Sequence, residues 1–122
     1  MKALLPLTLI AALATSPVWA ACPYPKAPEK VPDGNTATMP EMLTTQKAVK
    51  QFDLEVVAYQ ACLDQETDAA IAAQGDKLTP ERKNDMLRMK IQKQNAAAEE
   101  NSALAARFND QVKVYKEKNK KQ

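Results

Sequence analysis

From Met42 to Leu63 the chain places Met42, Thr45, Val49, Phe52, Val56, Tyr59 and Leu63 in alternating steps of three and four. That spacing draws one continuous stripe along an α-helix, the pattern of a helix packed lengthwise on another as in a coiled coil. The stripe weakens at Glu66 and resumes at Ala70 and Ala73. Its start is marked by Thr38-Met39-Pro40-Glu41, the Thr-x-x-Glu spacing of a capping box. Pro40 is tolerated there because first-turn N–H groups have no intrahelical partner. At the far end Gln74-Gly75 predicts a left-handed C-terminal stop, with Leu78 placed for the accompanying apolar contact. These signals predict a first helix over 39–74.

A second helix is predicted to begin at once. Thr79 is its N-cap, Pro80 its first residue, and Glu81 puts an acid in the first turn. Over 80–118 its stripe reads Leu87, Ile91, Gln94, Ala98, Asn101, Ala105, Phe108, Val112 and Tyr115. A connection this short makes the helices antiparallel neighbours, with paired positions summing to about 154. Phe52 and Tyr59 then face the alanine-rich stretch 96–106, and Met42 faces Val112. Large residues opposite small ones allow a close approach. Gln94 and Asn101 within the stripe either fix the alignment or face water.

Ahead of the hairpin, Pro23, Pro25, Pro28 and Pro32 forbid a helix over 21–37 and favour an extended polyproline path. Pro32-Asp33-Gly34-Asn35 reads as a turn, with Gly34 supplying positive φ. From Cys22 to Thr38 such an arm covers about 50 Å. The helix from Met39 to Cys62 covers about 35 Å. The arm is therefore long enough to double back and reach Cys62.

Residues 1–20 have the marks of a secretory leader: Lys2, an apolar run over 3–14, and Val18-Trp19-Ala20 as the exit. Cys22 and Cys62 remain after it, and a Cys22–Cys62 disulfide is the expected state in an exported chain. Ala20-Ala21-Cys22 also admits a second fate, lipidation of Cys22 as an outer-membrane anchor. A third is thiol–disulfide exchange as an accessory to redox proteins. The expected location is periplasmic or secreted.

Composition removes whole classes of chemistry. The chain has no histidine, so the commonest general base and the commonest transition-metal ligand are missing. Ser102 is the one serine beyond the leader, and the cysteines lack Cys-x-x-Cys spacing. Asp64, Glu66 and Asp68 step by about 200° on a helix and cannot share a face. With Glu99 and Glu100 they read as solvated acids. No catalytic residue, metal site or cofactor is expected. A net charge of +2 is too small for a nucleic-acid partner. Lys113, Lys116, Lys118, Lys120 and Lys121 are candidates for contact with an envelope polymer or lipid head groups. Cations at a helix end also offset the macrodipole.

Three resemblances accompany these readings. Leu78-Thr79-Pro80-Glu81-Arg82 is similar to a stretch found twice in periplasmic stress chaperones built as long α-hairpins; here it occurs once. Trp19–Cys22 and the lysine-rich end resemble the helical outer-membrane lipoprotein attached to peptidoglycan, although this chain ends in Gln122. A leader with Cys22-Pro23, Pro32-Asp33-Gly34, Glu41-Met42, Val49, Tyr59 and Cys62-Leu63 resembles a group of small exported proteobacterial proteins. That last resemblance implies a cell-envelope setting and a disulfide.

The sequence thus predicts an all-α fold: an antiparallel two-helix hairpin domain over 38–122 with coiled-coil-like packing, and an extended proline-rich arm over 21–37. The expected role is a non-catalytic envelope interaction protein that self-associates or holds clients. Phe52, Tyr59, Leu63, Phe108 and Tyr115 are its candidate partner-binding residues.

Overall fold

The protein is represented by a computed structural model that describes residues 21–121. The expected leader over 1–20 lies outside the described residues. Two long helices follow the arm: α1 (Met39–Gln74) and α2 (Pro80–Lys120), joined through one 3-10 turn at Gly75–Lys77. They run antiparallel as the short connection requires.

Both helix starts form as the residues dictate. The Glu41 N–H donates to Thr38 Oγ1 at 3.4 Å, and the Thr38 N–H donates to the Glu41 carboxylate at 2.7 Å. Those backbone and side-chain bonds from Thr38 hold the Glu41 carboxyl below its ordinary pKa. At α2 the Arg82 N–H donates to Thr79 Oγ1 at 3.3 Å, with Pro80 in the first position. Gly75 ends α1 with φ 49 and ψ −130, outside the left-handed helical well that was expected. The chain needs this positive-φ bend to enter its 3-10 turn, which the Leu78 N–H closes by donating to the Gly75 carbonyl at 3.2 Å.

Polar pairs along the hairpin hold the expected register. Asn101 Nδ2 donates to Asp53 at 2.6 Å. Gln60 and Gln94 each donate to the other's main-chain carbonyl, at 3.3 and 3.0 Å. Lys90 pairs with Asp64 at 2.9 Å. The Lys90 bond first, and then the Gln94 bond, lowers the Asp64 pKa. Gln94 and Asn101 therefore fix alignment: a slip by one turn would break every one of these pairs together.

The arm lies in the groove between the helices, antiparallel to α1, and is joined at its far end by the Cys22–Cys62 disulfide. Cys22, Ala27 and Val31 pack on a core of Phe52, Val56, Tyr59, Leu63, Ala97 and Leu104. A second cluster joins Ala37, Met42 and Phe108. Tyr24 stands edge-on to the Tyr59 ring at 5.2 Å and donates its hydroxyl to Glu100 at 2.7 Å. No described residue from 64 to 96 is buried. The core thus ends where the arm ends, because two helices alone cannot enclose a side chain and a third element is needed to close the groove.

The arm also rotates the packed face of α2 from the one expected. Ala97 and Leu104 are fully buried, whereas Ala98 and Ala105 are only partly covered and Ile91 is exposed. The inward positions run Lys90, Gln94, Ala97, Asn101, Leu104, Phe108, Gln111 and Tyr115, still in steps of three and four. Residues between the α1 contact and the arm contact are enclosed from two sides, so every second position shifts by one.

Gly34 corrects a second expectation. Its φ is not positive. A Cβ there would overlap the Gln111 carbonyl oxygen and lie 2.7 Å from the Tyr115 nitrogen. The turn is instead built by Asp33, whose side chain accepts from the Asn35 N–H and whose carbonyl accepts from the N–H groups of Thr36 and Ala37. Glycine is required at 34 because the arm crosses α2 backbone against backbone.

Candidate interaction surface

The residues proposed from sequence as partner contacts go into the interior. Phe52, Tyr59, Leu63 and Phe108 are all buried, and Tyr115 is half-buried beside the Ala37–Met42–Phe108 cluster. The first three meet in one cluster and Phe108 sits in the other. Buried in this way, Phe52, Tyr59, Leu63 and Phe108 stabilise the fold. What the sequence pattern could not show is that the arm covers the apolar groove between the two helices.

A different apolar face is left uncovered. Leu43, Leu54 and Val57 lie on the side of α1 away from α2 and the arm, 49, 64 and 58 % exposed. On a helix of 3.6 residues per turn, Leu43, Leu54, Val57 and Ala61 fall within a single narrow stripe. The stripe continues through Lys47 and Lys50 toward the N-terminus of α1 and through Asp68 toward its C-terminus, all exposed. Lys47, Lys50 and Asp68 make no ion pair among the described residues. The sequence signal was present: positions 43, 50, 54, 57 and 61 repeat in steps of three, four and seven beside the main stripe.

A shallower feature continues the track of the arm past Cys22. There Leu63, Thr67 and Ala70 of α1 line a shallow surface with Met86 and Met89 of α2, and Ala69 and Ala73 line its neighbour on α1. This is the half of the hairpin without a third layer, and its surface is open rather than enclosed.

The cysteine pair behaves as a clamp. A sulfur engaged in the Cys22–Cys62 bond is not free for acylation. Glu66 Oε2 lies 3.1 Å from Cys22 Sγ. Because a disulfide sulfur has no proton to donate, this is close packing of a carboxylate on the bond, and its charge opposes an approaching thiolate. The bond belongs to a non-reducing environment. Among the described residues no helix is long and apolar enough to cross a membrane.

The lysine-rich end of α2 is partly self-compensated. Lys113 lies 3.8 Å from Asp110 and Lys120 lies 3.2 Å from Glu117, each pair along the helix and open to water. Lys116 and Lys121 are exposed and Lys118 is partly covered. Such pairs add little stability.

No protein-family model, curated protein or solved structure matches this chain.

Proposed function

We propose that this protein is exported to the cell envelope, with residues 1–20 as a cleaved leader, and acts there as a non-catalytic interaction protein. The observation that carries the reading is the outer face of α1, where Leu43, Leu54 and Val57 remain half to two-thirds exposed. Exposed side chains of this size in one stripe are a liability in a monomer and a contact surface in a complex. The disulfide suits the proposed compartment, where such bonds persist. The arm and clamp then serve to present a stiff α1.

A photo-crosslinking residue placed at Leu54 tests this in cells, with Ser102 on α2 as the control position. Discrete adducts from position 54 and none from position 102 are expected. Equal labelling from both, or none from either, would remove the outer face of α1 as a contact surface. Mass spectrometry of the protein from the envelope fraction addresses export: it should begin at Ala21 with both sulfurs oxidised. An intact leader or an acylated Cys22 would overturn that part.

A further inference from the structure

We infer that the occupant of the outer α1 face is a second copy of this chain, packed α1 against α1 in a two-fold, antiparallel pair. This rests on the reading that the outer face is a contact surface, and it names the partner. The order of residues along the stripe carries the inference. After Leu43 at the start come Lys47 and Lys50; Leu54, Val57 and Ala61 occupy the middle, and Asp64 and Asp68 follow. Positions 47, 50, 54, 57, 61, 64 and 68 alternate in steps of three and four, the seam of a lengthwise helix pair.

Such a stripe is complementary to itself only when reversed. In a two-fold contact, residue i meets j and j meets i. Centring the pair between Leu54 and Val57 sets each Leu54 against the other copy's Val57. Lys50 then faces Ala61, whose small side chain lets the helices approach. Lys47 faces Asp64 and stands one turn from Asp68. Asp64 is already held by Lys90 and Gln94 within its own chain, so Asp68 is the acid left for Lys47. A parallel pair would instead stack lysines on lysines and aspartates on aspartates, which is repulsive at both ends. Nothing of the chain obstructs the contact along Leu54, Val57 and Ala61, because α2 and the arm pack on the opposite side of α1; α2 reaches the seam only at Asp64, through Lys90 and Gln94. An anionic membrane is a poorer fit, since the acidic end of the stripe would be driven against it.

Analytical ultracentrifugation of the full chain with Cys22–Cys62 intact, from micromolar to millimolar concentration, provides the test. The wild type should sediment as a monomer–dimer equilibrium that strengthens at low salt. Lys47→Glu and Asp68→Lys should each weaken the dimer by about tenfold, since each converts two symmetric attractions into repulsions. The double variant Lys47→Glu/Asp68→Lys should restore it. Leu54→Asp should give a monomer with an unchanged circular dichroism spectrum, because Leu54 is exposed. A wild type that stays monomeric throughout, or a double variant no better than the singles, overturns the inference. If that monomer still gives adducts from position 54 to a different protein, the outer face stands as a contact surface and only the second copy falls. If it gives none, both fall.

Discussion

Gly34→Ala is the substitution that most directly probes how the arm is seated. The new methyl would overlap the Gln111 carbonyl oxygen, lie 2.7 Å from the Tyr115 nitrogen and 2.9 Å from Val114 Cβ. Two of those three neighbours are helix backbone, which cannot turn aside as a flexible side chain would. Forcing extra volume into such a contact costs about 1–3 kcal/mol. Lifting the turn off α2 also lengthens the 2.8 Å bond from the Gly34 N–H to Gln111 Oε1, a loss of about 1 kcal/mol. The total, about 2–4 kcal/mol, should lower the melting temperature of a domain this size by roughly 10–30 °C. Thermal unfolding followed by far-ultraviolet circular dichroism measures it. Gly34→Asn separates the causes. Asparagine accepts positive φ readily, so it would be nearly harmless if conformational freedom were the reason for glycine. Close approach requires it to be at least as damaging as alanine. Gly75→Ala is the converse control: its Cβ meets nothing within 4 Å, but φ is +49, so it should show backbone strain alone, about 1–3 kcal/mol. A Gly34→Ala protein that melts within about 2 °C of wild type would refute the backbone-crossing argument.

Further outcomes follow from other contacts. Cys62→Ser opens a loop with a sequence separation of 40 and should cost about 4 kcal/mol in the chain-entropy account; an unchanged melting curve on reduction would count against the clamp. Leu104→Ala, at a fully buried position, should cost about 2–5 kcal/mol, whereas Leu54→Ala on the open face should change stability by less than about 0.5 kcal/mol. Similar losses from both in denaturant titration would mean the faces of the hairpin are misassigned. The hydrogen bond to Glu100, with smaller contributions from burial and nearby charge, pushes the Tyr24 pKa up to about 12. Folding therefore favours the protonated phenol: the contribution is complete below the ordinary tyrosine pKa of about 10 and is lost as pH rises through the folded value. Absorbance titration at alkaline pH should show a delayed phase from Tyr24, and Tyr24→Phe should remove it. Glu41 and Asp64 act oppositely. Their lowered pKa values give stability present above the ordinary carboxylate range and lost as pH falls through the folded values.

Much of this fold was legible in the chain because its signals are local. Thr38 with Glu41, and Thr79 with Pro80, satisfy free N–H groups within one turn of themselves, so the helix starts needed no tertiary information. The prolines set the arm's extended course, and arm length against helix rise then made Cys22–Cys62 geometrically reachable. A connection of few residues set the register, and Asp53–Asn101 and Gln60–Gln94 hold it.

The tertiary structure decided which face of each helix is spent. Periodicity gives the spacing of a stripe but not the number of neighbours pressing on it. With the arm as a third layer, α2 turns Leu104 rather than Ala105 inward, and Phe52, Tyr59 and Phe108, expected to meet a partner, become core. Gly34 shows the same limit: a turn motif in sequence carries no record of the helix backbone passing beside it. Covering one apolar face intramolecularly is what leaves Leu43, Leu54 and Val57 as the surface on offer. Helix ends are written in neighbours a few residues apart, while burial is a competition among distant segments for the same groove, and only the folded chain records its outcome.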